Sequence, residues 1–359
     1  MLREMKHASA TLAMLALAGT AVFAADGGQA LAASAAGRDP LFLTATNATN
    51  NSLAIVNMRT KQTEYVSTGG AGGVSGNAGG VAVSGKLAAV VNFGSSNVTI
   101  FERVGNTLHS IQMVKTTSQP VSVAFGHNHL LVLGQTDAES FPVYGTTVGP
   151  NDGTVQLLRS DKSAAQIVSY DNGAVYSMTS GLIGLLNIES NGTPGFSGSS
   201  TPVMLPAAPN NDTPLGMVGR GANVYASIAH SDLEALIVNG QIISTAVGPT
   251  PFKNDAGLTH APCWNALAGH FLYSSDSPGK QLLRYLVSDS NIFFDKGAVA
   301  TLSGAPTDLD VQAGMLGVID GGTGGVSDAS IFNIDSEGEL TLRFSVKITG
   351  AINGAAIMQ

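Results

Sequence analysis

The 359-residue sequence has one cysteine, Cys263, and few charged (12%) or aromatic (6%) residues. A single cysteine excludes an internal disulfide and a CxxC metal site, and such a thiol is most simply a small core residue. The 17 basic and 25 acidic residues give a net charge of −8, and the basic residues form no cluster. Because a nucleic-acid-binding surface needs clustered cations, we exclude nucleic acid as a partner.

Long hydrophobic runs are also scarce. The apolar run Thr11–Gly19 follows a short basic start and precedes Val22-Phe23-Ala24, which ends in a small residue suited to cleavage. This run is too short to span a bilayer, which takes about 20 residues, and no later segment approaches that length. We therefore predict a signal peptide over residues 1–24, a flexible leader over residues 25–38, and a secreted or periplasmic protein without a membrane span.

Amphipathic helical patterns are missing, and short Val-, Ile-, Leu- and Tyr-rich runs alternate with turn residues. One unit, an alternating strand followed by a tight turn and further strands, is clear at Gly79–Phe101. It recurs with starts at positions 79, 119, 165, 214, 261, 305 and 351, so the intervals are 40 to 49 residues. That period matches a four-stranded propeller blade, about 40 to 50 residues long.

The last copy, Ala351–Ile357, stops after its first strand. Two strands near the N-terminus, Leu41–Thr44 and Ser52–Val56, would complete it. A C-terminal strand that pairs with N-terminal strands closes the ring and removes free sheet edges. The sequence therefore predicts an all-β fold, a single seven-bladed β-propeller over residues 39–359, closed in this way.

Three segments resemble the seven-bladed lactonase family: Ser118–Val123, Ala261–Trp264 with Phe271–Tyr273 after it, and Gly350–Gly354. That family includes bacterial 6-phosphogluconolactonases and fungal carboxymuconate-lactonising enzymes, and the sequence is most similar to its exported bacterial members. The resemblance covers about residues 39–359. It implies a seven-bladed propeller that acts on a lactone or a related cyclic ester.

In a propeller, the loops that lead into first strands and the second-to-third-strand connections meet at one mouth of the central channel. His230 and Asp232 share one such connection, and His260 lies in a loop that also carries Lys253. An imidazole near a carboxylate can act as a general base on water. We predict that these groups are catalytic, with Lys253 or Lys280 stabilising the oxyanion. The alternative is that each histidine is a loop residue bonded to the backbone.

Polar side chains in other loops of this mouth are candidates for binding a small-molecule substrate: Asn92, Gln135, Asp137, Glu139, Tyr144, Asp276 and Asp320. Carboxylates and amides around one mouth could also hold Ca²⁺ or another divalent cation, although the sequence requires no cofactor. The long segment from Gly134 to Gly153 carries an apolar cluster at 141–144. This segment is predicted to be either a lid over the pocket or an insertion that packs on the neighbouring blade.

The leading hypothesis is an exported lactonase-like propeller that hydrolyses a small polar cyclic ester at the channel mouth. One alternative is a non-catalytic propeller that binds a protein or glycan at the cell surface, because propellers host many unrelated functions. Another is an isomerase or cyclase of the carboxymuconate type, as the fungal family members suggest. A catalytic role predicts that His230 and His260 converge on one pocket.

Overall fold

The computed structural model describes residues 38–188, 195–205, 212–248, 260–321 and 325–359. The predicted signal peptide, the leader up to residue 37 and Lys253 lie outside the described residues. Within these ranges, the longest helical segments are single short turns, and none has the length and apolar character needed to cross a bilayer.

The described residues form 29 strands and two 3-10 helices, Phe93–Ser95 and Ala229–Ser231. In chain order the strands are β1 Leu41–Ala45, β2 Ser52–Asn57, β3 Thr63–Ser67, β4 Val81–Ser84, β5 Leu87–Asn92, β6 Asn97–Val104, β7 Thr107–Lys115, β8 Pro120–Gly126, β9 His129–Gly134, β10 Asp137–Tyr144, β11 Thr147–Val148, β12 Gly153–Gln156, β13 Ala164–Tyr170, β14 Gly173–Met178, β15 Leu182–Ile188, β16 Phe196–Val203, β17 Pro214–Arg220, β18 Asn223–Ile228, β19 Leu233–Val238, β20 Gln241–Val247, β21 Pro262–Ala268, β22 Phe271–Asp276, β23 Gln281–Val287, β24 Ile292–Thr301, β25 Ala305–Gln312, β26 Met315–Gly321, β27 Val326–Ile334, β28 Leu340–Thr349 and β29 Asn353–Met358.

These strands make seven antiparallel sheets, which are the blades of a β-propeller. Blades 1 to 6 are β4–β7, β8–β12, β13–β16, β17–β20, β21–β24 and β25–β28, and blade 7 has the order β29-β1-β2-β3. Every blade's first strand begins within two residues of a predicted repeat start. The predicted seven-bladed propeller is confirmed.

Blade 7 closes the ring, because its inner strand comes from the C-terminus and its other strands come from the N-terminal part. Leu41 lies opposite Met358 and Phe42 lies opposite Ile357, and all four side chains are buried. This confirms the predicted closure. Because the paired strands are more than 300 residues apart in sequence, the closing blade depends on both ends of the propeller.

Arg103 in β6 reinforces this closure from blade 1. Its side chain is only 2% exposed, and its guanidinium donates to three backbone carbonyls. The acceptors are Gly105 O at 2.9 Å, Met358 O at 3.1 Å and Asp39 O. One buried cation therefore bonds to backbone near both ends of the propeller.

We expect Arg103→Met to lower the free energy of unfolding by about 3 kcal/mol, because two buried carbonyls and one part-buried carbonyl lose their charged donor. Urea denaturation measures this loss. The matched control is Arg59→Met, since the Arg59 side chain is 71% exposed and reaches Asp39 Oδ1 at 2.6 Å. Exposed pairs contribute little, so the control should lose much less stability. Equal losses in the two variants would contradict this account of the closure.

The inner strands are held together by side chains that reach across blade boundaries. Ser122 Oγ accepts the N–H of Ile167 at 3.2 Å, and Gln166 Oε1 accepts the N–H of Met217 at 2.5 Å. The inner strand of each blade pairs with a strand on one side only. The N–H groups on its other edge would otherwise have no partner. Side chains of the preceding blade satisfy these groups around a central channel of about 270 Å³.

Of the two predictions for Gly134–Gly153, the lid is wrong, and the insertion packed on the neighbouring blade is confirmed, because Phe141 and Val148 share a core cluster with β5 of blade 1. This segment forms the third strand of blade 2, β10, followed by β11 and β12, and both of these strands pair with β10. Phe141 and Val148 are 2% exposed and pack in the core beside β5 and β9, so the apolar cluster is core. Strand β12, Gly153–Gln156, lies beside β10 at the fourth position of the blade.

Candidate functional site

His260 and Asp276 form a close pair at the start of blade 5. His260 lies two residues before β21, and Asp276 ends β22. The Nδ1 atom of His260 is 2.5 Å from Asp276 Oδ2, and the two side chains are 6% and 0% exposed. A carboxylate at this distance holds the proton on Nδ1, so Nε2 is the basic nitrogen of the ring.

The carboxylate of Asp276 is fixed by three further donors. Gln281 Nε2 donates to Oδ2 at 2.7 Å, and the N–H groups of Gly279 and Ala261 donate to Oδ1 at 3.2 and 3.3 Å. These donors come from both loops that flank the pair. The orientation of the His260 ring is therefore set by a carboxylate that is itself held on several sides.

Asp232 of blade 4 lies near this pair. It follows the 3-10 helix Ala229–Ser231 in the left-handed conformation, with φ of 51°. Burial raises the pKa of Asp232 to about 6; the positive charge of His260 lowers it and the negative charge of Asp276 raises it. A Cβ on Gly248 would lie 2.3 Å from Asp232 Oδ1, so the carboxylate packs directly against the Gly248 backbone.

Two residues further along, Glu234 is fully buried between blades 4 and 5. It accepts hydrogen bonds from Ser227 and Ser274 at 2.7 Å and from Asn265 at 2.8 Å. Burial raises the pKa of Glu234 to about 7; the three hydrogen bonds oppose this shift, and the charge of Asp232 adds to it. The site therefore contains two carboxyl groups that titrate close to neutral pH.

Two other predicted catalytic residues, His230 and Lys280, are exposed. His230 is exposed, and its Nδ1 contacts the hydroxyl of Thr213. Lys280 is an exposed turn residue with φ of 52°, and its carbonyl accepts the N–H of Leu302 at 2.8 Å. The structure thus joins His260 to Asp276, which was predicted as a substrate-binding residue, and gives His230 a separate partner. The catalytic roles stay predictions.

Asn92 is one of several predicted binding residues that bond to other protein groups. Its Oδ1 accepts from Asn51 at 3.0 Å and Thr68 at 2.7 Å, and its Nδ2 donates to Asn97 and Thr99 at 2.8 Å. These four bonds use both donors and both lone pairs of the amide. Asn92 therefore links blade 7 to blade 1.

Asp137 and Glu139 of blade 2 are similarly engaged. Ser118 donates to Asp137 Oδ1 at 3.0 Å. Glu139 accepts the N–H of Thr117 at 2.8 Å and the amide of Asn151 at 2.7 Å. Both carboxylates hold the loop that leads into β8 against β10.

Asp320 repeats this arrangement in blade 6. It accepts the N–H of Gly304 at 3.1 Å, in the turn before β25, and the N–H of Asp328 at 3.2 Å. By contrast, Gln135 is half-buried and Tyr144 is 67% exposed at the end of β10. The role of all these residues in substrate binding stays a prediction.

The predicted divalent cation has no obvious set of ligands here. Among the described residues, no group of three or more His, Cys, Asp or Glu side chains could hold a metal ion. The carboxylates that were expected around one mouth belong to different blades and are bonded within them.

Asp308 and Asp310, on the inner strand β25, were missed by the sequence reasoning. Asp308 Oδ2 accepts the N–H groups of Gly79 at 2.8 Å and Ala355 at 3.1 Å, and Asp310 accepts that of Ile357 at 2.7 Å. Burial raises the pKa of Asp308 to about 7 and that of Asp310 to about 6, against the opposing effect of these bonds. Their i, i+2 spacing on a channel-lining strand was the available signal.

No protein-family model matches the chain, and no curated protein matches it. Among solved structures, the periplasmic gluconolactonase PpgL of Pseudomonas aeruginosa has a TM-score of 0.66 at 13% identity, covering 89% of this chain and 99% of that one. A candidate 6-phosphogluconolactonase of Bacteroides fragilis has a TM-score of 0.63 at 12% identity, over 89% and 98% of the two chains.

This chain has the lactonase-like seven-bladed propeller fold. The fold implied by the sequence resemblance is thereby confirmed. The WD40 repeats of RRP9 also align, with a TM-score of 0.59 at 11% identity over 78% of this chain and 89% of that one. Because a propeller supports many activities and these identities are low, the likeness defines the fold alone.

Proposed function

We propose that this lactonase-like propeller hydrolyses a small polar cyclic ester, such as a sugar lactone, at the His260–Asp276 pair. The observation that carries the proposal is the 2.5 Å contact between His260 Nδ1 and a fully buried Asp276 carboxylate. A histidine oriented in this way is suited to general-base catalysis. The choice of a lactone as the substrate class follows the fold likeness to a periplasmic gluconolactonase.

In the proposed reaction, Nε2 of His260 takes a proton from water, and the hydroxide attacks the lactone carbonyl. Lys253 or Lys280 stabilises the oxyanion. The ring C–O bond then breaks, and the leaving alkoxide takes a proton to give the hydroxy acid. Asp232 is suited to donate that proton, because its pKa of about 6 leaves a fraction of it protonated near neutral pH.

The test is hydrolysis of a panel of aldonolactones and unsubstituted lactones by purified residues 25–359, measured above the spontaneous rate. We expect His260→Gln to lower kcat/KM by about 100-fold or more, because general-base catalysis contributes about 10²–10⁴-fold. His109→Gln is the matched control, since His109 is an exposed residue on β7. An EDTA arm reports whether a divalent cation is required.

Loss of activity in His260→Gln alone would support the proposal. Equal activity of the wild type and His260→Gln would overturn the assignment of the base. A folded protein that hydrolyses no lactone would instead favour the non-catalytic alternative, a propeller that binds a protein or glycan.

A further inference from the structure

A groove opens between the outer strand of blade 5 and the two outer strands of blade 6. Its volume is about 520 Å³, within the usual range of small-molecule sites. One wall is the end of β24, residues 299–301, and the other is the face of β27 and β28 that carries Asp328, Ser330 and Phe332. We call it the blade 5–6 groove.

The strand that forms the blade 5 wall contains a bulge beside the groove. Between its pairs with Leu282 and Arg284, β24 has two more residues than β23. Ala298 in this bulge has φ of 46°, a left-handed conformation that is uncommon for a residue with a side chain. A bulge bends its strand, and residues 299–301, which follow it, line the groove.

The blade 6 wall changes from apolar to charged along its length. Its cross-strand pairs are, in order, Phe332 with Leu342, Ser330 with Ser345, and Asp328 with Lys347. Leu342 is 55% exposed, so apolar surface at one end faces solvent. The two serine hydroxyls in the middle are 3.1 Å apart and bond to each other. A ligand that matches this wall has an apolar tail and a charged head.

Lys347 provides the charge that the groove presents to a ligand. Its Nζ is 2.6 Å from Asp328 Oδ2, and its side chain is 70% exposed, whereas that of Asp328 is 8% exposed. The buried carboxylate also accepts a hydrogen bond from Ser303. An ammonium group has three donors, and among the described residues Asp328 accepts from one of them. The head group that complements this end is therefore anionic.

The distance between the two ends sets the length of the ligand. Phe332 follows Asp328 by four positions on β27, which corresponds to about 13 Å along a strand. An extended chain of about ten carbons has this length. We infer that the blade 5–6 groove binds a medium-chain carboxylate, with its head at Lys347 and its tail against Phe332 and Leu342.

This site does not depend on the proposed hydrolysis, because neither His260 nor Asp276 lines the groove. His260→Gln should bind decanoate as the wild type does, whether or not the protein is a hydrolase. Loss of decanoate binding in that variant would contradict a separate site.

Isothermal titration with hexanoate, octanoate and decanoate, below the concentrations at which they form micelles, tests the inference. We expect affinity to rise about three-fold with each added CH₂, because each one buries further apolar surface. Octanamide has the tail of octanoate without its charge. It should bind about five-fold more weakly than octanoate, because a charge-assisted hydrogen bond to Lys347 is lost.

Lys347→Gln tests the charged end. Its affinity for octanoate should fall about five-fold while its affinity for octanamide stays unchanged. A variant that merely folds less well would lose affinity for both ligands alike. The matched control is Lys115→Gln, since Lys115 is exposed on the outer strand of blade 1, and it should bind both ligands as the wild type does.

Leu342→Ser tests the apolar end. Its affinity for decanoate should fall about five-fold, and its affinity for hexanoate should not change, because the shorter chain does not reach this position. Ile243→Ser is the matched control, since Ile243 is 48% exposed on the outer strand of blade 4. It should leave both affinities unchanged.

Wild-type protein that binds none of the three carboxylates at millimolar concentrations would overturn the inference. Octanamide that binds as tightly as octanoate would overturn the assigned head group. An equal loss of hexanoate and decanoate affinity in Leu342→Ser, or no loss of either, would overturn the assigned tail position.

Discussion

Between about pH 5 and pH 8, the free energy of unfolding should fall by about 3 kcal/mol less in Glu234→Gln than in the wild type. Glu234 is fully buried between blades 4 and 5, and its partners are the neutral donors Ser227, Ser274 and Asn265. Serine hydroxyls can turn from donor to acceptor, so the protonated carboxyl is also accommodated. The neutral amide of glutamine imitates that protonated form at every pH.

The direction follows from the pKa of Glu234, which rises from 4.5 to about 7 in the folded protein. Between these values the folded state binds a proton more often than the unfolded state, so stability is complete below about pH 4.5 and falls as the pH rises through 7. The difference between these two pKa values corresponds to about 3 kcal/mol. The raised pKa values of Asp232, Asp308 and Asp310 act in the same direction.

Urea denaturation at both pH values measures this prediction. The matched control is Glu337→Gln, because the Glu337 side chain is exposed and the residue lies in the turn between β27 and β28. The control should lose as much stability as the wild type when the pH rises. A Glu234→Gln variant with the same loss as the wild type would contradict the assignment of the titrating group to Glu234.

The fold could be predicted because its information is periodic and local. Each blade repeats the same order of short strands and tight turns at a regular period, and the truncated copy at 351–357 signals the closure. Strand β10 was not predicted, because Phe141 and Pro142 are atypical of the third strand in the other copies. The contact of Phe141 with blade 1 decides its place, and that contact is not local in sequence.

The candidate site could be predicted only in part. Loop positions were enough to select His260 and Asp276, but not to pair them. The pairing depends on the register of β21 and β22, in which Pro262 lies opposite Asp276. For Asn92, the two donors to its amide oxygen come from blade 7. Whether a polar side chain is already engaged depends on such long-range contacts, which residue type and spacing do not reveal.

If the proposed hydrolysis is correct, Asp276→Asn should lower kcat by about 100-fold with little change in KM. The carboxylate accepts hydrogen bonds from His260, Gln281, Gly279 and Ala261. An asparagine NH₂ group would face at least one of these donors and cannot accept from it. The ring of His260 then loses the partner that keeps its proton on Nδ1, so Nε2 is no longer held as the base.

A second histidine–aspartate pair, formed in blade 2 by the buried His129 and the more exposed Asp152, provides the control for this experiment. His129 Nε2 is 2.9 Å from Asp152 Oδ2, and His129 begins β9 at the β8–β9 turn. Asp152→Asn should therefore reduce stability while kcat stays at the wild-type value. Nitrogen-15 chemical shifts of His260 would report the tautomer directly in both variants. Wild-type kcat in Asp276→Asn, or an equal loss of kcat in the two variants, would show that Asp276 has a structural role only. A general loss of folded protein lowers kcat in both variants, whereas loss of the base lowers it in Asp276→Asn alone.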